Sequence, residues 1–182
     1  MTDLATIARP GKSAVRTIVR HAEPRDVDAL IGLINALARE ATLLFVIPID
    51  PQTGGPSVLH YLEAMKVSGN SAVLVAERAG TLVGLATGNG GVHASKRGVV
   101  EIGIGVRAAH HGVGIGTALI AALEQWARGA GLHRLQLPVV TSNEPALALY
   151  RKAGFIVEGV LRESVVGDGR KLDQFMMAKL LG

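Results

Sequence analysis

An apolar strand that runs into glycine at every second position and leaves as an amphipathic helix constrains this chain more than any other feature. The stretch is Val106-Arg107-Ala108-Ala109-His110-His111-Gly112-Val113-Gly114-Ile115-Gly116-Thr117. Three alternating glycines carry no Cβ to block the backbone, so consecutive N–H groups can turn toward one point. The same amides open a helix, where they lack intrahelical partners and carry the positive end of its dipole. A phosphate or pyrophosphate is the group such a geometry binds. The chain is therefore expected to handle a phosphorylated cofactor.

Two phosphate-binding patterns can be set aside. A P-loop needs Gly-x-x-x-x-Gly-Lys-Ser/Thr, and no lysine follows these glycines. Gly103-Ile104-Gly105-Val106-Arg107-Ala108 has the outline of a dinucleotide fingerprint after an apolar strand. A helix would then have to start near Gly105 and run through Gly112, Gly114 and Gly116, which would break it. The acidic residue that fingerprint requires at a second strand end falls inside the next helix, as Glu124.

At 182 residues the chain has the length of one compact domain, expected over residues 15–182. Residues 1–14 lack periodicity and read as a flexible tail. No secretory signal opens the sequence, and no apolar run is long enough to span a membrane. Cysteine is absent, which removes a disulfide framework, thiolate metal ligands and a cysteine nucleophile. A cytoplasmic location is expected. The net charge of +4 is scattered over 19 Lys and Arg, with only one Trp, two Tyr and three Phe for base stacking. Nucleic acid is not an expected partner.

Periodicity and breakers supply the element order. Thr17–Arg20 reads as a first strand and Pro24 opens a helix with Val27, Leu30, Ile31, Ile34, Leu37 and Ala38 on one face. Leu43–Pro56, rich in Pro and Gly, reads as a loop, followed by a short helix from Ser57 to about Val67. Ala72–Glu77 and Thr81–Thr87 form a hairpin, Gly88–Gly98 a mobile polar loop, and Val99–Val106 a fourth strand. The helix after the glycine turn buries Ile115, Leu119, Ala122, Leu123 and Trp126. Arg134–Val140 is a fifth strand. Asn143 or Ser142 caps the next helix, which Gly154 closes. Phe155–Val166 and Lys171–Leu180 form a final hairpin around Gly167-Asp168-Gly169.

With the elements in place, two motifs resemble the GNAT acetyltransferase superfamily. Its pattern Gln/Arg-x-x-Gly-x-Gly/Ala, between the fourth strand and third helix, stands here as His111-Gly112-Val113-Gly114-Ile115-Gly116. A second pattern, Asn-x-x-Ala-x-x-Leu-Tyr before a Gly-Phe, stands as Asn143 to Tyr150 and then Gly154-Phe155. The resemblance implies an α/β (α+β) fold: a mixed, mostly antiparallel, splayed sheet flanked by helices. It implies acetyl-CoA as donor and an amine as acceptor, a small amine or amino acid in preference to a protein N-terminus or lysine. A non-catalytic acyl-CoA sensor on the same fold is the alternative. It further implies that the amides of Gly112, Val113, Gly114, Ile115, Gly116 and Thr117 cradle the pyrophosphate, with His111 auxiliary. The pantetheine arm would pair with backbone near Ile104, Gly105 and Val106, Asn143 would hold that arm, and Tyr150 would sit near the thioester sulfur. A homodimer is compatible with the sequence but not specified by it.

An acceptor amine must lose a proton before it attacks. At neutral pH this handicap is roughly 4–5 kcal/mol for a lysine-type amine near pKa 10.4 and about 1.4 kcal/mol for an α-amine near 8. Glu101 is the expected general base: its spacing, ten residues before His111, resembles the phosphinothricin-type acetyltransferases. The glutamate that ribosomal-protein acetyltransferases carry on the fifth strand is Pro138 here. The competing view of Glu101 is a solvated residue on the strand's outer face. Tyr150 is either a core tyrosine or, as its motif implies, the general acid for the departing thiolate. The pair His110-His111, with His93 or His133, does not read as a metal site, since adjacent residues point to different sides and no carboxylate completes a cluster. Glu158, Arg162, Asp168 and Asp173 either edge the acceptor cleft or are surface charges of the last hairpin.

Overall fold

The computed structural model describes residues 4–7, 16–40, 47–167 and 169–182. Among these residues eight strands form one sheet, β1 (Ala5–Ile7), β2 (Thr17–His21), β3 (Ala72–Arg78), β4 (Thr81–Gly90), β5 (Val99–Val106), β6 (Arg134–Val140), β7 (Ile156–Gly167) and β8 (Arg170–Leu180). Their spatial order is β1-β2-β3-β4-β5-β6-β8-β7. Only β5 and β6 pair in parallel; every other neighbour is antiparallel. The mixed, mostly antiparallel sheet expected from the motifs is the one observed.

Four α-helices of the described residues cover the two faces, α1 (Val27–Glu40), α2 (Gly55–Ser68), α3 (Ile115–Gly129) and α4 (Glu144–Lys152). The apolar stripe of α1 packs Leu30, Ile31 and Leu37 with Val58 and Leu62 of α2 over Val73, Val75 and Leu82. On the opposite face α3 lays Ile115, Leu119 and Leu123 over Val100, Ile102 and Leu135, and α4 adds Leu147 and Tyr150. Alternation along β5 follows from this two-sided burial: Val100 and Ile102 turn toward α3, while Glu101 and Gly103 turn toward α1 and α2.

The splay is visible in the register. β5 and β6 pair at Val99↔Arg134, Val100↔Leu135 and Glu101↔Gln136, and the pairing stops there. β5 continues for five more residues, still paired to β4 through Gly84↔Val106. Pro138, two residues past the last rung, has no N–H with which to extend the ladder. A gap therefore opens between β5 and β6 toward the glycine turn.

Three segments differ from the sequence reading. Ala5–Ile7, inside the segment read as a tail, forms β1 and pairs with β2 through Ala5↔Val19, Thr6↔Ile18 and Ile7↔Thr17. Three residues are too few for a period-two signal, yet they give β2 a partner on its outer side. Residues 1–3 and 8–14 lie outside the described residues, as do 43–46 of the loop read over Leu43–Pro56 and Asp168 of the last turn. Gly88–Gly98 is not one mobile loop, because β4 runs on to Gly90. Ser71 Oγ accepts the Gly90 N–H at 3.0 Å and Asn70 Nδ2 donates to the Gly91 carbonyl at 3.0 Å. Lastly, β7 is broken by register shifts, with Glu163 at φ +47° and its N–H donated to Asp173 Oδ1 at 2.8 Å.

A buried ion cluster that the sequence did not announce ties β2 to β3 and to the 3-10 turn before α1. Arg20 donates to both oxygens of Asp26, at 2.7 and 2.8 Å, and from Nε and Nη2 to Glu77 Oε2 at 3.1 and 2.8 Å. The Arg20 bonds hold the Asp26 carboxyl below the usual carboxylate range.

Candidate active site

The glycine turn has the backbone its sequence demands. Gly112 and Gly114 sit at φ +72° and +90°, a region L side chains avoid. Gly114 is the N-cap of α3 and carries no side chain to cap it. The bond from Ala118 N–H to the Gly114 carbonyl, 3.1 Å, is the first of the helix, so the amides of Ile115, Gly116 and Thr117 have no helical partner. Gly116 is glycine for another reason, since a Cβ there would stand 3.0 Å from Leu149 Cδ2 of α4. The turn is an open anion cradle pressed against α4.

A cavity of about 540 Å³ runs from the cradle along the end of β5 and against α4. It is lined by Ile104, Gly105, Val106, His111, Gly112, Gly114, Ile115, Gly116, Thr117, Asn143 and Tyr150. Of the expected cofactor residues Val113 alone does not line it; its side chain packs against the core instead. Asn143 caps α4 by accepting the Ala146 N–H at 3.3 Å, which leaves its amide NH₂ to donate. Tyr150 is 6% exposed, with its ring edge-on to Phe155 at 5.6 Å, and burial pushes its hydroxyl up to about 12. It is a proton-bearing group throughout the neutral range.

His111 lines this cavity, and its Nε2 lies 2.7 Å from the carbonyl oxygen of Val106, the last residue of β5. Leu37, Glu40 and Lys152 also line this cavity. Sequence reasoning missed all three. Lys152 lay in plain view two residues after Tyr150, whereas Leu37 and Glu40 come from a helix that no local pattern connects to the glycine turn.

A second cavity, of about 610 Å³, lies between α1, α2 and the sheet. It shares Leu37, Ile104 and Gly105 with the first. Its described lining is aliphatic apart from three hydroxyls, Ser57, Tyr61 and Thr87, and contains no charged side chain. Asn35 braces its outer loop, donating to the Ile49 carbonyl and accepting the Ile49 N–H, each at 2.7 Å. The floor consists of the rungs Leu85↔Gly105 and Thr87↔Gly103. Glu101 sits two rungs further on, opposite Asn89, exposed and outside the lining. The Asn89 side chain accepts the Tyr61 hydroxyl at 3.0 Å.

Other expected groups are not drawn in. Glu158 pairs with Arg134, Asp173 accepts from Glu163, and neither these nor Arg162 lines either cavity. Among the described residues no three His, Asp or Glu side chains gather as a metal site.

One prediction arises directly from the cradle. Gly114→Val places a β-branched residue at φ +90° where a Cβ meets nothing, so the obstacle is backbone conformation rather than a clash. The turn must shift its amides, and calorimetric titration should show coenzyme A affinity falling about tenfold or more, roughly 1.4 kcal/mol. Unchanged affinity would remove the loop from cofactor binding.

Comparison with known proteins reaches the same region. The model described as Acetyltransferase (GNAT) family matches residues 44–155. An L-methionine sulfoximine/L-methionine sulfone acetyltransferase of Pseudomonas paraeruginosa is 26% identical over 161 residues, 87% of this chain and 91% of the relative. An L-amino acid N-acetyltransferase of Escherichia coli K12 is 28% identical over 167 residues, 90% of this chain and 97% of the relative. A solved structure described as an acetyltransferase from Salmonella typhimurium with its cofactor acetyl-CoA superposes with a TM-score of 0.79 at 27% identity, covering 91% of this chain and 94% of that one.

Proposed function

The chain belongs to the acetyltransferase (GNAT) family and is an acyltransferase; from that premise we propose that it moves the acetyl group of acetyl-CoA directly onto the amine of a small molecule or amino acid, with both bound at once. The observation that carries the reading is the junction of the two cavities at Leu37, Ile104 and Gly105. A pyrophosphate on the amides of residues 112–117 sends the pantetheine arm along the unpaired edge of β5, toward that junction. An amine in the second cavity meets the thioester there. The similar enzymes that act on methionine sulfoximine and on L-amino acids support a small amine acceptor.

In the reaction the amine nitrogen attacks the thioester carbon and the carbon–sulfur bond breaks. The amine's proton passes through water to Glu101, two rungs beyond the cavity floor, and Tyr150 donates its O–H to the sulfur as charge develops there. With no cysteine in the chain, no thioester intermediate on a protein side chain can form. No helix among the described residues is long and apolar enough to cross a membrane, and we place the reaction in the cytoplasm.

The lining also limits the acceptor. A charged arm in an aliphatic cavity without a counter-charge pays a desolvation penalty of several kcal/mol. L-Norleucine and L-methionine should therefore exceed L-ornithine and L-glutamate in kcat/KM by about 100-fold, roughly 2.7 kcal/mol. Release of the CoA thiol reads this cleanly, because the protein contributes no thiol of its own. A peptide with a free N-terminus belongs in the same panel. Turnover of the peptide alone would replace the small-molecule reading, and binding of acetyl-CoA with no turnover on any amine would leave only a sensor.

A further inference from the structure

We propose that Glu40 is a positioning residue that couples the amine-side helix to the cofactor cradle, an inference that rests on the proposed use of the two cavities. Glu40 is the last residue of α1, the helix that also carries Leu30, Ile34 and Leu37 into the second cavity. Its carboxylate crosses to the start of the glycine turn. There Oε1 accepts from Arg107 Nε at 2.6 Å and Oε2 accepts the Ala108 N–H at 2.8 Å. Ala108 opens the short 3-10 turn that delivers His111 and Gly112. One side chain thus fastens the end of α1 to the backbone from which the cradle is built.

Stability gives little reason for a carboxylate at this position. It stands at the negative end of the α1 dipole, where a cation is the favourable residue. It also lines the cavity expected to receive the cofactor's anionic groups. The pair with Arg107 is part-exposed, 37% on the arginine side and 28% on the glutamate side, and such pairs contribute little to folding. What the contact does provide is geometry: two bonds from one carboxylate set the distance between α1 and the cradle. Leu37, one turn earlier and fully buried, is the α1 residue common to both cavities. Movement of the cradle on cofactor binding is therefore transmitted to the helix that walls the amine site.

The sign of one measurement separates positioning from simple electrostatics. If Glu40 acts only as a charge, removing it favours an anionic ligand, and Glu40→Gln and Glu40→Ala tighten coenzyme A. If it positions the cradle, both weaken it. We expect calorimetric titration with free coenzyme A to show the Kd rising about tenfold for Glu40→Ala and less for Glu40→Gln, which keeps an acceptor oxygen for Ala108. Arg107→Ala should lose affinity too, and the double variant should lose less than the two losses combined.

Amide hydrogen exchange reads the coupling itself. Coenzyme A should slow exchange in the last turn of α1 at least threefold in the wild type and leave it unchanged in Glu40→Ala, with melting temperatures alike. Unchanged or tighter coenzyme A binding in both variants overturns the proposal. So does weakened binding with the protection of α1 intact, which would confine Glu40 to the loop. Failure of the wild type to bind coenzyme A overturns instead the reading of the cofactor cavity on which the proposal rests.

Discussion

Tyr150→Phe will lower kcat by about 10²–10⁴-fold, a loss of roughly 2.7–5.5 kcal/mol, with little change in coenzyme A affinity. The substitution removes one oxygen and keeps the ring, so the edge-on contact with Phe155 and the packing beneath α4 survive. The hydroxyl is buried beside the cavity and pushed up to about 12, so in the wild type it stays protonated across any practical assay range. Two consequences follow. A fall in kcat on the alkaline side below pH 10 does not come from Tyr150. Folding loses the tyrosine's contribution only as pH rises from about 10, where the unfolded chain ionises, through about 12, where the folded one does. A kcat unchanged in Tyr150→Phe would leave the residue as core packing alone.

The second large effect concerns proton removal. Glu101→Gln should lower kcat/KM at pH 7 by about 10²-fold with an amine that is mostly protonated there. The defect should shrink as pH approaches the acceptor's own pKa, because solvent then supplies the neutral amine. The geometry sets a condition on this outcome. Glu101 is exposed and two rungs past those that floor the second cavity, so a role as base requires water between it and the amine. Its neighbours on that rung and beside it, Asn89 and the Tyr61 hydroxyl bonded to Asn89, are polar groups able to hold such a water. Superimposable pH–rate profiles for wild type and Glu101→Gln would remove Glu101 from the mechanism.

Much of the cofactor side was legible because it is local. The strand Val99–Val106, the glycine turn, the start of α3 at Ile115 and the cap at Asn143 lie within one continuous stretch, and each is dictated by conformation at its own position. Gly112 and Gly114 announce positive φ, and Asn143 followed by Pro145 announces a helix start. The second cavity was not legible, because it is assembled across long sequence separations. Leu37, Tyr61 and Leu85 read as ordinary helix and strand positions until the sheet brings them together. Glu40 and Ala108 are 68 residues apart, and no periodicity links them. His111 shows what a motif leaves open: the family pattern has Gln or Arg there, and the contact of the imidazole with the Val106 carbonyl is not written in the spacing. The Arg20–Asp26–Glu77 cluster was hidden for the same reason as the amine site, since Glu77 comes from a strand 57 residues after Arg20.

Direct acetyl transfer between the two cavities is tested most directly by following the acetyl group itself. Wild-type protein is mixed with acetyl-CoA labelled in the acetyl carbonyl, with and without L-norleucine, and both small-molecule products and intact protein are read by mass spectrometry. The account predicts labelled N-acetylnorleucine in one-to-one ratio with free CoA thiol, and no label on the protein before or after the amine is added. Label on the protein in the absence of amine would contradict direct transfer, and bound acetyl-CoA that releases no thiol to any amine would contradict catalysis at this site.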